Sequence, residues 1–144
     1  MQSPLPILVL SKYSGSQDEQ ILLWQWRNDV SVRKWAKSGM VSLYDFARSL
    51  EGLVTVIGYI GDDPVGYAQL ESDGRMFWMI DRDKRRKGLG PLLALETARY
   101  ARGMGLNAYV RVHPDNRTSL AILSRIGFSH TGNDDGRIVM TYAA

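Results

Sequence analysis

Arg85-Arg86-Lys87-Gly88-Leu89-Gly90 follows the apolar run Met76-Phe77-Trp78-Met79-Ile80 and leads into a helical pattern from Pro91. That order predicts a strand, a glycine-rich loop and a helix start. The first amides of a helix lack internal partners, and its dipole is positive at that end. Glycines let an anion approach the backbone closely. The segment therefore suits a group of the size and charge of a pyrophosphate. Two nucleotide motifs are excluded. Leu93 stands where a dinucleotide fingerprint needs its third glycine, and no Gly-Lys-Ser/Thr follows as in a P-loop.

The chain has 144 residues, the size of one domain, and 44% of them are hydrophobic. It has no cysteine, so disulfide and thiolate chemistry are excluded. His113 and His130 are the only imidazoles, too few for the usual zinc sites, and no metal is expected. No apolar run approaches the roughly 18 residues of a membrane span. Pro4 to Leu10 is too short for a secretory signal, and a cytoplasmic location is the expectation. Net charge is +3, with Arg82, Lys84, Arg85, Arg86 and Lys87 crowded together. Such a patch suits cofactor phosphates or nucleic acid, but no nucleic-acid motif accompanies it.

Leu5 to Leu10 is expected as an edge strand, with Pro4 and Pro6 nearby. Ser16 to Arg27 reads as a helix burying Ile21, Leu22, Leu23 and Trp24; Ser31 to Trp35 reads as a helical turn. Ser42 suits an N-cap for a helix with Leu43, Phe46, Ala47 and Leu50 on one face. Then the period changes. Leu53–Ile60, Val65–Glu71 and Met76–Asp81 read as an antiparallel meander, the third strand covered on both faces. Pro91 suits the first helical position, and Leu92, Leu93, Leu95, Ala98 and Ala101 form that helix's buried face. Asn107–Val112 is a strand, Asn116–Ile126 a helix, and a hairpin turning at Asn133–Gly136 closes the chain. The β-α-β unit across Met76–Val112 predicts parallel strands, hence an α/β (α+β) chain with one mixed, mostly antiparallel central sheet and helices on both faces.

Arg85-x-x-Gly88-x-Gly90 and Val112-His113-Pro114-Asp115-Asn116, with Ser119 and Gly127-Phe128, resemble two motifs of the GNAT superfamily of acetyl-CoA-dependent N-acetyltransferases. The element order is similar over essentially the whole chain. Trp24-Gln25-Trp26-Arg27-Asn28-Asp29 with Val32-Arg33-Lys34-Trp35 is similar to a segment of the branch acting on ribosomal-protein N-termini and nucleotide-linked amino sugars. The resemblance implies acetyl-CoA as co-substrate, with its pyrophosphate on the amides of Arg85, Arg86, Lys87, Gly88, Leu89 and Gly90. It implies main-chain pairing of the pantetheine arm with Met79, Ile80 and Asp81, and contacts from Asn116 and Ser119. It also implies that the two parallel strands splay apart. Trp35 and Tyr44 are placed beside the acceptor, and a homodimer is left open.

Amine acetylation needs a base for the ammonium and a proton for the departing thiolate. Glu71 is the first candidate base; Asp81 serves the loop, and His113 suits proton transfer. The family often has a tyrosine acid seven residues after the motif asparagine, but here Leu123 stands there. Ser124, water, or one of Tyr67, Tyr109 and Tyr142 is then left to supply the proton. The acceptor is expected to be a primary amine, on a nucleotide-linked amino sugar or a protein N-terminus, attacking directly without an acyl-enzyme. A non-catalytic acetyl-CoA-binding module and a nucleic-acid-binding domain remain as alternatives.

Overall fold

The computed structural model describes residues 7–29, 40–85 and 88–143. Its elements run β1 (Leu8–Lys12), α1 (Gln17–Arg27), α2 (Leu43–Ser49), β2 (Val54–Ile60), β3 (Asp63–Leu70) and β4 (Met76–Ile80). A 3-10 turn (Arg82–Lys84), α3 (Leu89–Gly103), β5 (Tyr109–Val112), α4 (Arg117–Arg125), β6 (Phe128–Asp134) and β7 (Arg137–Tyr142) follow. The turn of helix expected at Ser31–Trp35 and the start of the Leu5–Leu10 strand lie outside the described residues.

The strands form two antiparallel sheets, ordered β1-β2-β3-β4 and β5-β7-β6, rather than one mixed sheet. The expected parallel pairing of β4 with β5 is reduced to one bridge, Arg75 with Tyr109. There Tyr109 N–H donates to Gly74 O at 3.0 Å. Asp73 reinforces the joint, accepting from the Arg75 amide at 3.0 Å and from the Tyr109 hydroxyl at 2.5 Å. The phenol holds the Asp73 carboxyl below its ordinary range, and the carboxylate pushes the Tyr109 phenol up. Beyond this point the two strands diverge.

α1 and α2 cover one face of the first sheet. Leu23, Trp26, Phe46 and Leu50 pack on Ile57, Tyr67 and Met79. Trp26 stacks on Tyr67, ring centroids 6.1 Å apart and planes at 9°. The buried stripe of α1 is thus Leu23 and Trp26, while Ile21, Leu22 and Trp24 are half-buried. An i,i+3 pair suffices because only one edge of this helix meets the sheet. Ser16 and Ser42 cap α1 and α2, accepting from Glu19 and Asp45 amides.

α3 covers the opposite face, burying Leu89, Leu93, Ala94, Thr97, Ala98 and Ala101; Leu92 and Leu95 lie at its flanks. The small alanines let the helix backbone lie close to both sheets. The buried Thr97 hydroxyl donates to Leu93 O at 2.7 Å, so it is not left unpaired. Leu106 N–H reaches Ala101 O and Gly105 N–H reaches Arg102 O, the two bonds of a Schellman close. Pro91 occupies the third helical position, not the first, because Leu89 and Gly90 are already helical. It remains in the first turn, where a missing amide costs no internal bond. Phe77 in β4 is exposed rather than covered, since it borders the opening between the sheets.

The Trp-Arg-Asn-Asp segment is used structurally. Asn28 Nδ2 donates to Val41 O at 2.8 Å, and Asn28 Oδ1 accepts from Val41 N at 2.8 Å. Trp24 Nε1 donates to the same carbonyl at 3.0 Å. This two-way amide clamp fixes the entry to α2, which walls the cleft described below. Asn28→Ala is expected to lower unfolding free energy by about 2 kcal/mol, because the half-buried Val41 N–H loses its partner and the Val41 carbonyl keeps only Trp24. Urea titration measures it.

Candidate active site

Where β4 and β5 diverge, a cleft of about 1180 Å³ lies between the two sheets. It is bordered by Phe77, Met79 and Ile80 on β4 and by Val110, Arg111 and Val112 on β5. The α3 start lies at its mouth, and α4 borders it with Asn116, Ser119 and Ile122.

Gly88 caps α3 in the left-handed region, at φ 74°, and provides no side-chain acceptor to the first turn. A Cβ built on Gly88 meets nothing within 4 Å. The amides of Leu89 and Gly90 stand, without a side-chain cap, at the positive end of a 15-residue helix. A helix start of this kind suits an anion. Arg85 is at the mouth too, its Nε donating to Ile80 O at 3.1 Å. Arg86 and Lys87 lie outside the described residues. The rest of the basic run is partly neutralised: Lys84 bonds to Asp63, and Arg82 lies 4.0 Å from Asp29. The Asp63 carboxylate pushes the Lys84 ammonium pKa up.

The direction of the β4 main chain corrects one expectation. Glu71 N donates to Arg75 O and Asp81 N to Val65 O, so odd-numbered residues of β4 pair with β3. The main-chain groups of Met79 and Asp81 are therefore turned away from the cleft. Trp78 and Ile80 present theirs to it, by the strict alternation of a strand. Met79 still contributes its side chain to the lining, whereas Asp81 is absent from it and caps the 3-10 turn.

Of the proposed catalytic residues, His113 lines the cleft. Its Nδ1 accepts from Asp115 N at 3.1 Å, with Asp115 Oδ2 at 3.8 Å. A ring nitrogen that accepts carries no proton, so the neutral ring holds its proton on Nε2. Glu71 lies outside the main cleft, in a side cavity of about 190 Å³ shared with Gln69, Arg75 and Phe77. Ser124 is exposed on α4 outside the cleft lining, because Leu123 turns into the core and Ile122 takes the cleft side. The three tyrosines are also elsewhere. Tyr67 is fully buried with its hydroxyl unpartnered, and burial raises its pKa; Tyr109 is bound to Asp73; Tyr142 lies under Arg102 at 4.8 Å. Tyr44 is 69% exposed and outside the lining, and Trp35 is outside the described residues.

Several lining residues escaped the sequence reading. Arg27, Asp45, Gln69, Arg75, Arg111 and Arg137 come from six elements or their edges, so no spacing joined them. Asp45 was disguised by its place three residues after the Ser42 cap. No helix among the described residues is long and apolar enough to cross a membrane, and no cluster among them could hold a metal.

The acetyltransferase (GNAT) family model matches residues 20–128, and the chain belongs to that family of acetyl-CoA-dependent N-acetyltransferases. Solved structures share its fold. AAC(6')-Ib, in complex with acetyl-CoA, superposes with a TM-score of 0.78 at 17% identity, over 94% of this chain and 93% of that one. Spermidine N-acetyltransferase from Vibrio cholerae, with CoA and spermine, gives 0.77 at 13% identity, over 93% and 92%. A domain from Methanocaldococcus jannaschii gives 0.77 at 16% identity, over 94% and 97%. None of the curated proteins matches the chain.

Proposed function

We propose that this enzyme acetylates the primary amine of a nucleotide-linked amino sugar or of a protein N-terminus, by direct attack on acetyl-CoA. The observation that supports acetyl-CoA at this site is the pairing of an uncapped α3 start with a free β4 edge across one cleft. Leu89 and Gly90 amides hold the pyrophosphate. Trp78 main-chain groups and the Ile80 N–H pair with the pantetheine arm, the Ile80 carbonyl being held by Arg85 Nε, and an edge N–H polarises the thioester carbonyl. Asn116 and Ser119 border the arm from α4. On the acceptor side, Asp45 takes the ammonium proton, with Glu71 in the adjoining side cavity as the alternative base. The amine nitrogen bonds to the carbonyl carbon, the carbon–sulfur bond breaks, and sulfur keeps the electron pair. The second proton shed by the acylated nitrogen passes through water to the departing sulfur. His113 Nε2–H steadies that sulfur by a hydrogen bond without giving up its proton, at the step where Leu123 offers no donor.

Calorimetric titration with acetyl-CoA, compared with free coenzyme A, tests the site. Saturable binding is expected; none up to millimolar cofactor refutes it. His113→Phe is expected to lower kcat by roughly 100-fold with an unchanged KM for acetyl-CoA. Unchanged kcat would remove His113 from stabilising the leaving sulfur.

A further inference from the structure

The acceptor side of the cleft is lined with arginine. Phe77 and Met79 turn toward α1 and α2, and strand alternation puts Arg75 on the same face. On the second sheet, Val110, Val112 and Met140 are buried in the core shared with α3 and α4. Arg111 and Arg137 therefore turn the other way: Arg111 stands opposite Val139, and Arg137 is two residues from it. All three arginines are half-buried. Arg111 Nε lies 3.3 Å from Asp134 Oδ2, and its Nη2 donates to Asp134 O at 3.2 Å. Arg75 and Arg137 have no ion-pair partner among the described residues, although Arg75 shares the side cavity with Glu71 and its charge reaches Asp73. Asp45 is the one carboxylate in the main lining among the described residues.

A polycationic acceptor would meet this positive wall at a cost in repulsion, while half-buried guanidinium groups favour fork-like bonding to an oxyanion. Resting on the acetyl-transfer reading above, we propose that the acceptor amine is carried by a molecule with a phosphate or carboxylate arm, which Arg75 and Arg137 bind. Arg111, braced by Asp134, adds charge. The amine end lies toward Asp45.

Glucosamine, glucosamine 6-phosphate and muramic acid present one amine with no anion, a phosphate or a carboxylate. Spermidine and kanamycin serve as polycations. At saturating acetyl-CoA, at least one anionic sugar is expected to exceed glucosamine in kcat/KM by roughly tenfold or more, with both polycations below it. Which of the two leads identifies the oxyanion. Arg75→Gln and Arg137→Gln should each shrink that advantage while leaving the KM for acetyl-CoA unchanged. Equal or better use of glucosamine or the polycations overturns the proposal and leaves acetyl transfer intact. A raised KM for acetyl-CoA in both variants also overturns it, by assigning the arginines to coenzyme phosphates. Calorimetry of the same sugars against the coenzyme A-saturated protein reads the preference without turnover; absent preference there refutes it.

Discussion

Gly88→Trp should reduce acetyl-CoA affinity by roughly 100-fold or more while leaving a folded protein. The position has a left-handed backbone, and a Cβ there touches nothing. Adding a side chain therefore costs local strain of about 1–3 kcal/mol but displaces no core atom. The indole would instead fill the space in front of the Leu89 and Gly90 amides. Gly88→Ala separates the two effects, carrying the strain with little of the obstruction. Calorimetry with acetyl-CoA and a thermal melt measure both. Unchanged binding by the tryptophan variant would show that the pyrophosphate sits elsewhere.

Gly74→Ala should destabilise the fold by about 3 kcal/mol or more, lowering Tm by roughly 10 °C. Its consequences are the reverse of those at Gly88. Gly74 is buried, has φ 99°, and a Cβ there would lie 2.3 Å from the Asn107 carbonyl oxygen. That contact is with backbone, which cannot swing aside. Relief would require moving the β5 entry away from Asp73 and Gly74, which hold Tyr109. Unfolding in urea gives the free energy. A loss under about 1 kcal/mol would mean that the joint yields far more easily than packed backbone does.

Much of this architecture was legible locally. Ser16, Ser42 and Asn116 cap helices because a side-chain oxygen at that position answers an orphan amide. The Asp135-Gly136 turn has positive φ at both residues, matching a type I′ hairpin. The order of strand, glycine turn and helix around Gly88 was legible because its residues are contiguous. What was not legible depends on pairing across distance. Local periodicity does not record that β4 and β5 share a single bridge, nor which backbone edge of β4 remains free. The side of α4 that meets the cleft is set by packing of Leu123 against the core, so a motif count could not replace the missing tyrosine. The arginines of the acceptor side gather only after three strands have taken their places.

The joint at Arg75 and Tyr109 gives the cleft a mechanical property. Five residues at about 3.3 Å each put Ile80 roughly 17 Å from that pivot. The second sheet then acts as a lever, and each degree of rotation at the pivot moves the mouth by about 0.3 Å at this span. A tight fulcrum with a wide jaw lets the molecule grip a long, thin ligand without rebuilding either sheet.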